Sequence, residues 1–366
     1  MKSTTLALAV VTAASGACVS TVGPTGNGDR DRDNGDCTVE AFTLTITTEA
    51  DLRDIPRGCF SLEGDLVIER STLTDLSALS ELRDVRGSLR IEDNSALTSL
   101  TGLVDVRVSG DLIVDGNLKL ADLAGLDGTD ELTSLTLRAN DALRDLSGLR
   151  SLREVAGDAL VSDNRALGSL AGLDRVDTVG GDLIVEQNDQ LTGLGGLGRL
   201  SSVSAITLDR NPRLASLGGL SALTTIDRLR ITGNTALTSL TGLGVTRIAG
   251  DLDLENNGLT TLGSLTNLNQ IDGNLIIASN PSLAGIDGLS TSLRVNGSLR
   301  VTSNPRLTSI FGLYLGASAS NLVITGNTSL SRPRAEHMLS AQAHQISFPI
   351  RSVTGNGSTS DPVENH

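Results

Sequence analysis

Apolar and polar positions follow one pattern that recurs every 23 or 24 residues from Gly64 to about Leu330. Each copy has Leu-x-Ile or a close variant, an Asn three residues later, and then a leucine at every third position, as in residues 89–91, Asn94 and Leu97. The first piece has period two, which is typical of a strand with both apolar side chains inward, and the second piece predicts short extended sides separated by corners. Twelve copies predict a solenoid in which each coil buries its apolar face against the next.

The Asn recurs in every copy but the first, where Ser71 stands in its place. Asn tolerates left-handed turns, and its amide can bond the backbone at a corner. Stacked coils would turn the row into an internal amide ladder, so we expect a structural role. The row consists of Asn94, Asn117, Asn140, Asn164, Asn188, Asn211, Asn234, Asn257, Asn280, Asn304 and Asn327.

Three segments at the start of the chain differ from the repeats. Residues 1–17 combine Lys2, a short apolar stretch and small terminal residues, which is typical of an export signal peptide. Residues 18–36 are rich in Gly, Pro, Asp and Arg and predict a flexible tether that starts at Cys18. Residues 37–63 should form an N-terminal cap, because the open end of a solenoid exposes its core and a strand edge.

Both caps have local sequence signals. Residues 48–51 have the form of a capping box, and Pro56 would end the short helix that follows. After the repeats at 64–330, residues 331–354 predict a C-terminal cap, helical in composition at first and extended near its end. Residues 355–366 are expected to form a disordered tail.

Cys18 directly follows the predicted cleavage point, which resembles the modified Cys of bacterial lipoproteins. Ser15 stands where those proteins usually have Leu, so simple secretion is the alternative. A lipid on Cys18 would anchor the chain to a membrane and place it in the cell envelope, at the outer membrane or the cell surface. Cys37 and Cys59 then remain and can pair, and export permits the disulfide.

The composition of the chain and the absence of catalytic motifs argue against several classes of function. With 43 acidic and 29 basic residues, the net charge is −14, a poor match for nucleic acid. Aromatic residues make up only 1% of the chain, which argues against surfaces that stack bases or sugars. The usual catalytic and phosphate-binding motifs are absent, and His337, His344 and His366 all follow the repeats. Coils of nearly constant length leave no room for the walls of a cleft, so we expect no catalytic residues and no cofactor.

Two acidic groups bear on metal binding. Asp29, Asp31, Asp33 and Glu40 occupy positions 1, 3, 5 and 12 of an EF-hand-like loop, but the glycine expected at position six is missing and no flanking helices are evident. A second group follows the strands of the first three coils and would stack as a row of carboxylates that repel each other or hold Ca²⁺. This group is Glu69, Glu92 and Asp115. We expect solvated carboxylates and no metal site, with calcium as the alternative.

Together these features resemble the receptor L-domain family, known from the ligand-binding lobes of insulin- and epidermal-growth-factor-type receptors and from bacterial surface lipoproteins. The matching features are Cys37, the short helix before Cys59, residues 64–68 and the later Gly-x-Leu-x-Ile-x-x-Asn-x-x-Leu coils. The resemblance implies an all-β, right-handed β-helix and a binding or structural role. Receptor L domains have about half as many coils, so this sequence resembles a doubled or extended version. The cysteine-rich module, the spanning helix and the kinase of those receptors have no counterpart in this sequence, so growth-factor binding does not carry over. The alternative fold is a leucine-rich-repeat horseshoe, whose spacing between Asn and the next Leu is shorter.

The middle residue of each Leu-x-Ile strand should point outward, so that stacked coils form a flat recognition face with apolar and Arg anchors. The alternative is that β-branched residues simply suit strands. The candidate residues are Arg90, Ile113, Ile184, Arg230, Ile276 and Arg300. We expect a non-enzymatic envelope lipoprotein that binds another surface protein or glycan. A passive envelope spacer is one alternative, and a β-helix enzyme acting on polysaccharide is another.

Overall fold

The computed structural model describes residues 37–290, 292–314, 318–331 and 351–357. They form a right-handed β-solenoid of about twelve coils with almost no helix, which confirms the predicted fold. The horseshoe alternative is wrong, because successive coils pair through parallel strands on two sides. Several predicted features lie outside the described residues, namely the predicted signal peptide, the predicted lipidation site Cys18, the predicted tether, the predicted helical part of the C-terminal cap and the three histidines.

One side of the coils forms a long parallel sheet, which we call the front sheet. Each strand carries the Leu-x-Ile unit with its two apolar side chains buried, and neighbouring coils pair in register, as Leu89 does with Leu112. Its strands are Leu44–Ile46, Leu66–Glu69, Leu89–Glu92, Leu112–Asp115, Leu135–Arg138, Ala159–Ser162, Arg228–Thr232, Leu252–Glu255, Leu275–Ala278 and Arg351–Thr354, with four longer strands at Thr178–Glu186, Ser202–Asp209, Arg294–Thr302 and Ser318–Thr325.

A second side carries shorter parallel strands, which we call the side sheet. The four longer strands run around the corner and belong to both sheets. The remaining side strands are Thr38–Glu40, Phe60–Leu62, Leu82–Val85, Arg107–Val108, Glu131–Leu132, Glu154–Val155, Thr225–Ile226, Arg247–Ile248 and Gln270–Ile271. The third side has 3-10 turns at Ser77–Leu79, Ser147–Leu149, Gly195–Leu197, Gly218–Leu220 and Gly263–Leu265, and a short helix at Phe311–Tyr314.

Leucines fill the interior, and glycines allow the coils to approach closely. The N–H of Gly110 donates to the carbonyl of Gly87 at 2.9 Å, and a Cβ on Gly110 would lie 2.5 Å from that oxygen. Close approach therefore explains the glycines at the coil starts, none of which has a left-handed φ. Gly172 differs, because its φ is +113° and a Cβ there would lie 1.9 Å from the carbonyl oxygen of Leu146.

The asparagines form the predicted internal ladder, with each member of the row at most 1% exposed. The bonds of Asn188 are representative. Its Nδ2 donates to the carbonyl of Val161 at 2.9 Å and to Oδ1 of Asn211 in the next coil at 3.3 Å. Its Oδ1 accepts the backbone N–H of Asn164 in the preceding coil at 3.1 Å. The side chains thus cross-link three successive coils through groups that water does not reach.

The two ends of the ladder are closed by other residues. At the start, the backbone N–H and the hydroxyl of Ser71 donate to Oδ1 of Asn94 at 2.9 and 2.7 Å. At the far end, Oδ1 of Asn356 accepts the backbone N–H of Asn327 at 3.0 Å. Sequence reasoning missed Asn356, because it follows its predecessor by 29 residues rather than by one repeat length.

The residue before each ladder position, and not the Asn itself, has the left-handed backbone conformation. The expectation that Asn makes this turn is therefore wrong. For example, Asp93 has φ of 56°, and its N–H donates to the carbonyl of Asp115 in the next coil at 2.9 Å. The residues at this position are Arg70, Asp93, Gly116, Ala139, Asp163, Gln187, Arg210, Gly233, Asn256, Ser279, Ser303, Gly326 and Gly355.

The N-terminal cap contains a 3-10 helix at Asp51–Asp54. The carboxylate of Asp51 accepts the backbone N–H groups of Thr47 and Thr48 at 2.8 Å each, and these bonds lower the pKa of Asp51. Cys37 and Cys59 form the predicted disulfide, with a Cα–Cα distance of 4.6 Å.

The stack of coils extends beyond the sequence repeat at both ends. Residues 37–63 already contribute strands Thr38–Glu40 and Leu44–Ile46 to the two sheets. At the other end, Arg351–Thr354 pairs with the front sheet, as the extended composition predicted. Gly357 forms a further bridge to Ser331, so ordered structure continues past the boundary at residue 354 that the sequence suggested.

Candidate binding face

The outward side of the front sheet, which we call the front face, carries a single row of mid-strand side chains. Register pairing places each of them directly beside its counterpart in the next coil. All six predicted binding-face residues lie in this row. From the first coil onward the row is Val67, Arg90, Ile113, Thr136, Leu160, Ile184, Thr207, Arg230, Asp253, Ile276, Arg300 and Val323.

The middle of the row is free of charge. Between Arg90 and Arg230, five successive strands present only aliphatic or threonine side chains, among them Ile113 and Ile184. These side chains are partly exposed, and the side chains of Arg90 and Arg230 are 45% and 50% exposed. At about 4.8 Å between strands, the uncharged stretch is about 19 Å long. This geometry provides a narrow apolar strip with a guanidinium at each end.

The predicted row of carboxylates is present beside this strip, with Glu69, Glu92 and Asp115 in register. Each carboxylate has a guanidinium of its own. Arg70 lies 3.3 Å from Glu69, Arg90 lies 3.0 Å from Glu92, and Arg138 lies 3.4 Å from Asp115. Burial raises the pKa of Asp115, and Arg138 opposes that rise. Ion pairs therefore relieve the repulsion that the stacked acids would otherwise create.

One acidic residue interrupts the row itself. Asp253 lies beside Arg230, with 3.5 Å between Oδ2 and the guanidinium, and its side chain is 16% exposed. The other carboxylate oxygen is buried and has no hydrogen-bond partner among the described residues. Burial, with a further contribution from Glu255, raises the pKa of Asp253 to about 6. Reversing the charge of Arg230 would thus place an acid against a half-buried carboxylate, which makes this position a poor probe of binding alone.

Arg300 differs from the other two arginines of the row. It is exposed and, within the part of the chain that the structure describes, forms no ion pair, whereas Arg90 and Arg230 each pair with an acid. Its neighbours along the row are Ile276 and Val323. A partner could therefore engage Arg300 without breaking a contact within the chain.

The predicted metal candidates do not come together within the described residues. Glu40 lies in the first strand of the side sheet, paired with Leu62, while Asp29, Asp31 and Asp33 lie outside the described residues. Over the ranges that are described, no group of three or more His, Cys, Asp or Glu side chains could hold a metal ion. Within the same ranges, no helix has the length and apolar character needed to cross a membrane.

Sequence reasoning missed a second cluster, at the corner where the chain enters the side sheet. Arg153, Arg175, Asp177 and Arg199 line an opening of about 320 Å³. The sequence spacing could have revealed this cluster, because its successive arginines are 22 and 24 residues apart, which is close to one repeat length.

Comparison with known proteins does not identify a family or a function for the chain. The chain matches no model of a known protein family, and no curated protein is significantly similar to it in sequence.

Proposed function

We propose that the chain is a non-enzymatic lipoprotein of the cell envelope, and that its solenoid binds a partner at the cell surface through the front face. The observation that carries the proposal is the uncharged strip of the front face, flanked by Arg90 and Arg230 and kept in register along the sheet. Interfaces commonly have an apolar centre and a polar or charged border, with arginine enriched among the anchors.

The chemistry of the face favours a protein over a glycan as the partner. Aromatic residues make up 1% of the chain, and the mid-strand row contains none, so the stacking by which aromatic side chains hold sugar rings is absent from it. Acidic side chains such as Glu92 and Glu186 border the strip on one side. A protein with a strip of aliphatic side chains beside basic residues would complement this pattern.

The resemblance to the receptor L-domain family supports a binding or structural role. An export signal, Cys18 as the lipid attachment point and the tether at 18–36 would hold the solenoid at a membrane surface. No catalytic motif interrupts the coils, which favours recognition over turnover of a substrate.

Site-specific photo-crosslinking in the producing cells tests the proposed face. A photoreactive amino acid replaces Ile184 on the strip or, as a control, Ala215 on the third side of the solenoid. We expect a discrete adduct from the Ile184 position only, and we expect Arg300→Glu to weaken crosslinking from the neighbouring Ile276 position. Arg306→Glu is the matched control, because Arg306 is exposed in the same coil as Arg300 but away from the front face. A passive spacer would give no adduct at either isoleucine.

The anchor is tested separately by comparing the wild type with Cys18→Ala. Cell-bound wild type that external protease degrades, together with release of the variant into the medium, supports a lipid anchor that faces outward. Retention of Cys18→Ala at the wild-type level would show that the anchor assignment is wrong, whatever the crosslinking experiment shows.

A further inference from the structure

Three arginines from successive coils surround the opening at the entrance to the side sheet. Arg153, Asp177 and Ser201 occupy equivalent positions, since the N–H of Asp177 donates to the carbonyl of Arg153 at 2.9 Å and the N–H of Ser201 donates to the carbonyl of Asp177 at 3.0 Å. Arg175 and Arg199 project from the preceding corner of their coils and complete the lining. With about 4.8 Å between coils, the guanidinium groups can converge on one small ligand.

The cluster has more positive charge than its surroundings neutralise. Nε of Arg199 pairs with Asp177 at 3.1 Å. Arg153 and Arg175 are exposed, and neither forms an ion pair or side-chain hydrogen bond with any described residue. Elsewhere arginines commonly pair with an acid of the adjacent coil, as Arg165 does with Asp141 at 3.3 Å. Other arginines, such as Arg144 and Arg300, also form no ion pair with a described residue, but Arg153 and Arg175 line the same opening.

Several acids lie near the cluster. Asp130 precedes Arg153 by one coil, and its carboxylate lies 3.9 Å from Arg107, while the exposed Glu154 follows Arg153 in sequence and does not line the opening. The carboxylate of Asp127 lies 2.8 Å from Arg150, and that of Asp174 accepts the backbone N–H of Gly172 at 2.8 Å. Neither residue lines the opening. Of the four lining residues, three are cationic and one is anionic, so the opening favours an anion.

A second depression adjoins the first. It begins at Ser201, next to Asp177, and has a volume of about 200 Å³. Its lining combines the hydroxyl residues Ser202 and Thr225 with the charged residues Asp227 and Arg247 and with the apolar residues Val203, Ile226 and Ala249. Such a surface suits the hydroxyl groups of a ligand whose charged group lies between the arginines.

We infer that this corner binds the phosphate or sulfate ester of a saccharide. The guanidinium groups of Arg153 and Arg175 hold the tetrahedral anion through paired N–H donors, and the adjoining depression takes the hydroxyl-rich remainder. Arg199 contributes its terminal nitrogens while its Nε keeps Asp177 in place. The site lies outside the front face and does not depend on the function proposed for that face.

Isothermal titration calorimetry of the purified chain with inorganic phosphate, glucose 6-phosphate and glucose tests the inference. We expect the two phosphates to compete for one site, with dissociation constants on the order of 1 mM for a few exposed charge-assisted bonds. Glucose alone should not bind. The double variant Arg153→Gln/Arg175→Gln should weaken both phosphates by about tenfold or more, and Arg175→Gln alone serves if the double variant does not fold. Arg144→Gln is the matched control, since Arg144 is exposed and without an ion pair among the described residues, and it lies in the same coil as Arg153.

Failure of both phosphates to give a saturable signal would overturn the inference. So would wild-type affinity in the folded arginine variant, or an equal loss in Arg144→Gln, which would indicate general charge attraction. Binding of inorganic phosphate without glucose 6-phosphate would overturn the assignment to an ester.

Discussion

Replacing Asn188 by Ala tests how far the internal ladder stabilises the solenoid. Asn188 lies in the middle of the row and is 0% exposed. The substitution removes the acceptor of the Asn164 N–H and the donor to the Val161 carbonyl. It also removes the side-chain bond to Asn211, whose Oδ1 keeps only the backbone N–H of Asn188, so the row of side chains is interrupted between Asn164 and Asn211.

The expected loss of stability follows from the groups left behind. The N–H of Asn164 has no other acceptor among the described residues, and a buried donor without a partner costs about 1–3 kcal/mol. The two bonds that Asn188 donates to Val161 and Asn211 contribute about 1 kcal/mol each. We therefore expect Asn188→Ala to lower the free energy of unfolding by about 3–5 kcal/mol. The loss should be smaller for Asn356→Ala, because Asn356 is only part-buried at the end of the row.

Denaturant unfolding followed by far-UV circular dichroism measures this loss, because the chain has no Trp and a single Tyr. Hydrogen exchange with mass spectrometry then locates it. Contacts in a solenoid are between neighbouring coils, so protection should fall first in strands Ala159–Ser162 and Thr178–Glu186. Asp189→Ala is the matched control, since Asp189 is exposed and adjacent in sequence to Asn188.

The reasoning is refuted if Asn188→Ala and Asp189→Ala unfold at the same denaturant concentration. It is also refuted if protection is lost uniformly along the chain, because the effect would then not arise from the broken ladder.

Two further predictions concern a buried charge and a close backbone contact. Asp253 has its pKa raised from 3.8 to about 6, so the folded state binds its proton more tightly than the unfolded state does, and this group lowers stability as pH rises from about 4 to about 6. Asp253→Asn should therefore raise the free energy of unfolding by roughly 1–2 kcal/mol at pH 7, after allowance for solvent screening. Unfolding curves at several pH values measure this gain, which should vanish near pH 4. A gain in stability that does not depend on pH would contradict the prediction. Gly172→Ala should cost at least about 2 kcal/mol, because Gly172 combines a left-handed φ with direct backbone contact. Gly168→Ala in the same coil, where a Cβ meets nothing within 4 Å, should change the melting temperature little, and equal destabilisation by both would contradict the packing argument.

The solenoid was predictable because the same type of residue occupies the same position in each repeat, with apolar residues and asparagines at the interior positions. Leucine spacing and the Asn row identify the interior directly, and the same spacing places Arg90 beside Ile113 on the front face. The ladder's last member was missed because 29 residues separate Asn356 from Asn327. A search at the repeat length of 23 or 24 residues does not find an Asn at that distance.

The left-handed corners could not be predicted from residue type. Arg70, Ala139 and Gln187 share no side-chain chemistry, yet all three have φ near 50°. Tertiary contacts determine the conformation there, because the ladder and the sheet bonds on either side fix the backbone between them and offset the cost of about 1–2 kcal/mol per residue. Ion pairs such as Arg230–Asp253 were predictable only in part. The repeat spacing places the two residues side by side, but only the structure shows that the carboxylate is buried.

Differences in coil length are absorbed outside the front strands, either within the side sheet, as between Phe60 and Ser61, or at the turn that follows it, which explains why the front face can serve as a continuous surface. Where the long strands Thr178–Glu186 and Ser202–Asp209 pair, the register shifts between Val179 and Asp182 and is restored before Leu183. The same shift occurs between Val295 and Ser298. Both lie at the turn from the side sheet to the front sheet, so the extra residue never reaches the front strands. Side chains of the front face therefore keep a constant spacing from coil to coil, whereas those near the corner do not. A regular row suits an extended partner, and an irregular corner suits a small ligand, which is how the front face and the arginine cluster differ.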